Sequence, residues 1–267
     1  ELFFEPKLSL DGTISCANCH NLEKGGDDNL QFSIGINGSV GAINAPTVYN
    51  SIYNFRQFWN GRAKNLYEQA VGPIENPIEM NNSFKNVIEF LKNEDKYKNK
   101  FLKLYKDGVT KDNIVDSIVE FEKSLVTLDA PFDLYLKGDS KAIDINAQKG
   151  YELFLSKGCI SCHNGINIGG NLYQKFGVVN DKKSENFGRY EITKNERHRY
   201  FFKVPTLRNI ELTYPYFHDG SVNSLYESID IMAKYQLGIA LKNEEIELII
   251  AFLKTLTGKK PTLDFDE

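Results

Sequence analysis

Four cysteines, four histidines, two methionines and one tryptophan are all that this 267-residue sequence holds of the side chains that most readily ligate metals or relay electrons. In a chain this long, four cysteines are too few for the disulfide framework of a small secreted domain. No uninterrupted apolar run approaches the roughly 18–20 residues of a membrane-spanning helix. The densest stretch, Ile246 to Leu253, is broken by Glu247 and reads as one face of a buried helix. Lysine and arginine form no block and the net charge is −4, so no nucleic-acid partner and no membrane span are expected. What remains is ordinary: 41% hydrophobic residues, enough for a packed core, over a length that suits one large domain or two smaller ones.

The scarce residues are not scattered. All four cysteines fall in two copies of one pattern, Cys16-Ala17-Asn18-Cys19-His20 and Cys159-Ile160-Ser161-Cys162-His163, and each copy is followed by Asn (Asn21, Asn164). Cys-x-x-Cys-His is the attachment signature of a c-type haem. The two thiols add across vinyl groups on one edge of the macrocycle, and the adjoining imidazole becomes the proximal iron ligand. A redox Cys-x-x-Cys needs no following His, and a zinc site built from two such pairs would leave each His surplus. Two covalently bound haem c groups are therefore expected. Covalent haem implies an extracytoplasmic, periplasmic compartment. A start at Glu1-Leu2-Phe3-Phe4 without a secretion signal reads as the mature form.

The motifs lie one per half. Between them, Ser83 opens a segment with Phe84, Val87, Ile88 and Leu91 at helical spacing. Asp112-Asn113 precede a second helix carrying Ile114, Val115, Ile118, Val119 and Leu125, expected to end near Leu128 before Asp129-Ala130-Pro131. Residues 131–140 read as the link between halves. Further on, Ala147 to Lys157 reads as a helix stopped by Gly158, Ser224 to Leu237 as one closed by Gly238, and Asn243 as the cap of a last helix ending at Gly258. Residues 165–215, rich in Gly, Asn and aromatics, lack periodicity and read as long loops. The fold class is mainly α, with two cytochrome c-like haem domains, long loops and little β-structure.

Function depends on the sixth iron position, where a strong ligand makes an electron carrier and an open site permits small-molecule chemistry. The remaining strong ligands are His198, His218, Met80 and Met232, and the first half has no His besides His20. Counting alone does not assign them.

The stretch from Gln57-Phe58-Trp59-Asn60-Gly61-Arg62-Ala63-Lys64 through Glu68-Gln69-Ala70-Val71-Gly72-Pro73-Ile74-Glu75-Asn76-Pro77-Ile78-Glu79-Met80 resembles the bacterial di-haem cytochrome c peroxidases. So do Ile43-Asn44-Ala45-Pro46-Thr47, Val204-Pro205-Thr206-Leu207-Arg208-Asn209, Leu212-Thr213-Tyr214-Pro215-Tyr216-Phe217-His218-Asp219-Gly220 and Ile231-Met232. The likeness runs from about Leu2 to Gly258 with both haem motifs in register. It implies a low-potential peroxidatic haem domain over residues 1–130 and a high-potential electron-transfer domain over residues 131–267.

By the same resemblance, Met232 is the second haem's thioether ligand, beside the proximal ligands His20 and His163. Glu79 and Gln69 are the pocket residues above the first haem, Glu79 moving a proton between the peroxide oxygens and Gln69 orienting peroxide or water. Trp59 stands between the haems as the electron relay. Asn44, through its side chain, and Thr213 and Pro215, through their carbonyls, hold one calcium ion at the interface. His218 belongs to a family motif without a defined role, and His198, between Arg197 and Arg199, reads as a solvated loop residue. Hydrogen peroxide is the implied substrate, a small cytochrome c or similar one-electron donor the implied partner, and a homodimer the usual assembly.

One position departs from the family. Many relatives place a His after Ser-Ile-Gly, where it caps the first haem until reduction releases it. Here Ser33-Ile34-Gly35 is followed by Ile36, and no His lies between His20 and His163. The first haem is therefore expected to be open in the oxidised protein, with Met80 the one residue able to cap it. Two competing functions differ in kind. A non-enzymatic di-haem electron carrier predicts two six-coordinate haems. A protein-oxidising enzyme of the methylamine-utilisation type places Tyr where Met232 stands, so this sequence argues against it.

Overall fold

The computed structural model describes residues 1–182 and 184–263. Four of the longer helices begin where a short polar side chain meets an amide that the helix itself leaves unpaired. Asn65 accepts from Glu68 N at 3.0 Å at the start of α2 (Leu66–Glu75). Ser83 does so for α3 (Phe84–Asn93), Thr110 for α5 (Lys111–Ser124) and Asp144 for α7 (Ile145–Ser156). Between them stand α1 (Cys16–Cys19), which carries the first haem motif, α4 (Asp95–Leu104) and α6 (Pro131–Leu136). The chain closes with α8 (Tyr190–Thr193), α9 (Leu225–Ile231) and α10 (Asn243–Lys254).

The apolar faces of these helices build two main cores. In the first, Ile114, Val115, Ile118 and Val119 of α5 pack with Leu66, Ala70 and Ile74 of α2 and Phe84, Val87 and Leu91 of α3. Each such side chain contributes roughly 1.5–3 kcal/mol by leaving water. In the second, α7 and α10 lie so close that a Cβ on Gly150 would stand 1.9 Å from the Leu248 carbonyl oxygen. Only glycine fits that crossing. Phe252 then reaches Phe132, Tyr151 and Phe154, with ring centroids 5.0, 5.2 and 5.1 Å away.

A buried polar network joins the halves. Asn50 donates to the Thr127 hydroxyl at 2.8 Å and accepts from Thr127 N at 3.0 Å, while Asn209 donates to the same hydroxyl at 3.2 Å. Asn167 donates to Asn54 Oδ1 at 2.9 Å across the seam.

The mainly helical class is as expected, but several elements differ. Residues 131–140 are not a plain link, since Pro131 starts α6 at the position where its missing N–H costs nothing. Helix α5 is capped by Thr110 rather than next to Ile114, and it ends at Ser124, four residues before Leu128. Asn243 is the first residue of α10, with Lys242 outside it. The segment Ser224 to Leu237 is α9 followed by a π-helical turn, Met232–Leu237. Within residues 165–215, β1 (Tyr173–Lys175) and β2 (Phe201–Lys203) pair antiparallel, Gln174 opposite Phe202. Helix α2 hides its pattern behind Gly72-Pro73, and α4 buries only Tyr97 and Phe101 in a Lys-rich run.

Candidate haem and peroxide site

The first motif folds into a turn that aims its imidazole. Ser15 N and the Ser15 hydroxyl both donate to Asn18 Oδ1 at 2.8 Å, which fixes the start of α1 and the spacing of Cys16 and Cys19. His20 Nδ1 lies 3.3 Å from the Gly26 carbonyl oxygen, an acceptor that sets this nitrogen as the donor and leaves Nε2 as the metal-facing lone pair. Burial holds the imidazole below its ordinary pKa, so it stays neutral and able to ligate. None of the four cysteines is in a disulfide. Burial pushes Cys16 up to about 12 and Cys19 and Cys159 up to about 11, so none of these three is an activated thiolate. The two pairs do not converge with other ligands on a metal-sized cluster among the described residues, which removes the two-pair zinc arrangement.

Glu79 stands by the first motif. Its negative charge raises both Cys16 and Cys19, which places the carboxylate within electrostatic reach of the attachment edge. Burial raises Glu79 above the usual carboxylate range, opposed by the Asn76 amide, which donates to Oε1 at 2.6 Å, and by Arg62. Arg62 itself stacks 3.4 Å above the Phe58 ring. Gln69 sits half-buried on α2, four residues before Pro73, which has no N–H to offer the Gln69 carbonyl. The turn after α2 then carries Glu79, with Met80 N donating to the Pro73 carbonyl at 3.2 Å and Asn82 N to that of Ile74 at 2.8 Å.

Ile36 lies against this turn. It is buried, and its N–H donates to the Glu79 carbonyl at 2.8 Å. The Ser33–Gly41 hairpin that carries it is closed by Gly35 N to Ser39 O at 2.7 Å and Gly41 N to Ser33 O at 3.0 Å. Met80 packs in the first core with Ala70 and Ile74 and is only 2% exposed.

The second motif opens on a cavity with about 1640 Å³ of empty space, including its solvent-facing mouth. Cys159, Cys162, His163 and Met232 line it together. His163 is pushed down to about 4 by burial; the Ile168 and Pro205 carbonyls oppose the shift, but neither reaches hydrogen-bonding geometry with its buried Nδ1. The π-helical turn that begins at Met232 is the kind of local rewinding that re-aims a side chain toward a site.

The cavity also reaches the first half. Trp59, Asn44, Thr213 and Pro215 line it, so the structure brings together the relay and cation candidates. Trp59 Nε1 donates to the Asn44 carbonyl at 2.9 Å, and the Trp59 carbonyl accepts from Lys203 N at 2.7 Å. The Asn44 amide nitrogen donates to the Leu30 carbonyl at 2.9 Å, which leaves its Oδ1 for a cation.

Comparison with known proteins agrees with this geometry. A family model described as di-haem cytochrome c peroxidase matches residues 1–141, and one described as cytochrome c matches residues 147–257. The chain is 48% identical to a cytochrome c551 peroxidase of Nitrosomonas europaea, over 97% of this chain and 79% of that protein. The chain belongs to the di-haem cytochrome c peroxidase family.

A second relative, cytochrome c peroxidase Ccp of Escherichia coli K12, is 46% identical over 96% of this chain but is spanned to only 57% of its own length. Among solved structures, a MauG-like protein associated with microbial copper homeostasis superposes with a TM-score of 0.88 at 26% identity, covering 96% of this chain and 87% of that one. Family membership makes this chain a haem-dependent oxidoreductase, and its residues fit two c-type haems: paired cysteines, neutral imidazoles and an apolar-walled cavity beside the second motif.

Four features were not legible in the sequence. Asp27 lines the same cavity as Asn44, Thr213 and Pro215, and burial pushes it up to about 7. Its Oδ1 accepts from Asn29 Nδ2 at 3.0 Å, and that same amide spans to the Leu212 and Tyr214 carbonyls at 2.8 and 3.0 Å, clamping the two halves. Glu122, on α5, is buried with one oxygen unpartnered, and its charge also raises Cys16. His198 is half-buried rather than solvated, with Nδ1 3.0 Å from the Thr193 hydroxyl. His218, the unassigned member of its motif, is buried between rings: Phe202 stacks on it at 4.0 Å and Ser184 Oγ meets its Nε2 at 2.8 Å.

Proposed function

We propose that the chain is a periplasmic peroxidase that reduces hydrogen peroxide to two waters, with two protons taken up from solvent and two electrons delivered singly by a small cytochrome c or similar donor. The bound haem irons supply the redox chemistry. The protein's own part is to place an acid–base group and to route electrons. Glu79, its affinity for a proton raised by burial, accepts the proton from one peroxide oxygen and returns it to the departing oxygen. The Asn76 amide keeps that carboxylate in one orientation, and Gln69 offers a free amide on the adjoining helix.

Electrons would enter at the second motif, where His163 and Met232, which line one cavity, would hold the haem iron; His/Met ligation favours a high potential. Trp59, on the wall of that cavity and pinned at both its indole nitrogen and its carbonyl, is the relay toward the first motif. Residues 1–130 and 131–267 then divide the labour into peroxide chemistry and electron entry. Calcium sits at Asn44, Thr213 and Pro215, with Asp27 adding negative charge to the same wall.

One observation carries the reading that the peroxide site needs no reductive opening. Where an imidazole would be required, Ile36 is buried and hydrogen-bonded through its backbone to Glu79, while Met80 is locked in the core. The test is electron paramagnetic resonance of the fully oxidised protein, followed by peroxide addition without prior reduction. A high-spin first haem whose spectrum changes at once on peroxide addition is expected. A low-spin first haem that reacts only after reduction would overturn the reading.

A further inference from the structure

The second cavity contains a buried cation without a partner. Lys203 ends β2 and is only 5% exposed, and its ammonium makes no hydrogen bond or ion pair among the described residues. It nevertheless lines the same cavity as Cys162, His163 and Met232. Burial alone pushes it down to about 8, and no carboxylate is close enough to oppose that. Asp27, the one acidic residue on the same wall, is engaged by Asn29 and exerts no pull on it.

An unpaired ammonium on the wall of a largely apolar cavity is poorly solvated, which favours an anion that enters that cavity. The position is also stiff. Lys203 N donates to the Trp59 carbonyl at 2.7 Å, and its neighbour Phe202 is stacked on the buried His218. A lysine on so fixed a strand does not reach out to solvent. Haem brings two carboxylates of its own, and among the described residues that line the cavity Lys203 is the one lysine or arginine.

We propose that Lys203 is the counter-ion of a propionate of the second haem, and that its charge holds that haem's reduction potential above the first's. This rests on the haem reading above. A fixed positive charge near an iron favours the electron-richer ferrous state, because reduction removes one unit of positive charge from the centre. The strand that carries the charge is bonded to the relay tryptophan, so the same element that sets the potential also ties the second haem's surroundings to Trp59.

The experiment is a potentiometric titration of the holoprotein with both haems resolved spectroscopically, after haem content has been counted by the pyridine haemochrome method. In Lys203→Met, which keeps the side-chain volume and removes the charge, the equilibrium constant for reducing the second haem falls about tenfold or more, equivalent to 59 mV for a one-electron couple. The first haem stays where it was, and Lys203→Arg recovers most of the shift. If Lys203→Met does not accumulate with both haems, Lys203→Gln is measured in its place. An unchanged second potential, or an equal shift of both haems, overturns the assignment. A wild-type protein carrying fewer than two haems overturns the functional reading instead.

Discussion

Gly35 offers the sharpest test of how the peroxide pocket is held. Its backbone is extended (φ −99°, ψ −159°), so alanine meets no conformational penalty there. The difficulty is space: an added Cβ would lie 2.0 Å from the Ile78 carbonyl oxygen and 2.9 Å from Glu79 Cα. Carbon and carbonyl oxygen ordinarily come no closer than about 3.3 Å, so the hairpin and the Glu79 turn must part by more than an ångström. The Ile36 N to Glu79 O bond at 2.8 Å is the first casualty. Gly35→Ala should therefore lose about 1–3 kcal/mol of stability, the usual range for overpacking. A displacement of this size at a proton-transfer group is worth about a hundredfold in rate. The assay is steady-state peroxide turnover with a reduced cytochrome c, alongside denaturant unfolding. Gly38→Ala is the control, since its φ of +73° imposes strain but nothing lies within 4 Å of the added carbon. It should cost about 1 kcal/mol and leave turnover intact. Wild-type turnover in Gly35→Ala would refute the contact as the element that positions Glu79.

Glu79→Gln keeps shape and removes the proton carrier, so peroxide turnover should fall about 10²–10⁴-fold with haem content unchanged; a loss of only a few-fold would remove Glu79 from the mechanism. Met232→Ala should open the second haem to cyanide, read as a new spectral change at that haem; no change would mean another group holds the position. Glu122 is raised by burial from 4.5 to about 8, so the folded protein binds its proton more tightly than the unfolded chain does. Its burial is therefore uncosted below about pH 4.5, stability falls as pH rises toward about 8, and the curve is flat above that. Glu122→Gln should flatten this slope in thermal unfolding against pH, and an unaltered slope would refute the assignment. If calcium occupies the proposed site at Asn44, Thr213 and Pro215, chelation lowers the melting temperature, and Asp27→Asn weakens that calcium dependence; an unchanged melting temperature would remove the cation from the seam.

Much of the site could be read from residues alone because covalent haem chemistry demands adjacency in the chain. Cys16, Cys19 and His20 must share one turn, so the motif is local and visible. The helices at Ser83 and around Ile114 were legible for the same reason, since their apolar faces repeat at the helical period. Helix α2 was not, because Gly72-Pro73 interrupts its helical pattern. The β1–β2 ribbon was not either: three-residue strands leave too short an alternation to register. Asp27, Glu122 and Lys203 look like ordinary surface charges in the sequence, and only burial changes what they are.

What the sequence determined by itself was the number of haem motifs, the absence of a second imidazole in the first half, and the mainly helical class. These depend on residue identity and on short spacings. Tertiary structure alone decided that Ile36 docks on Glu79, that Trp59 is bonded to both Asn44 and Lys203, and that Lys203 faces the second cavity without an anion. Each of those relations joins residues 15 to 144 positions apart. No local propensity encodes them; they exist because two packed cores bring distant backbone segments within hydrogen-bonding reach and keep water out.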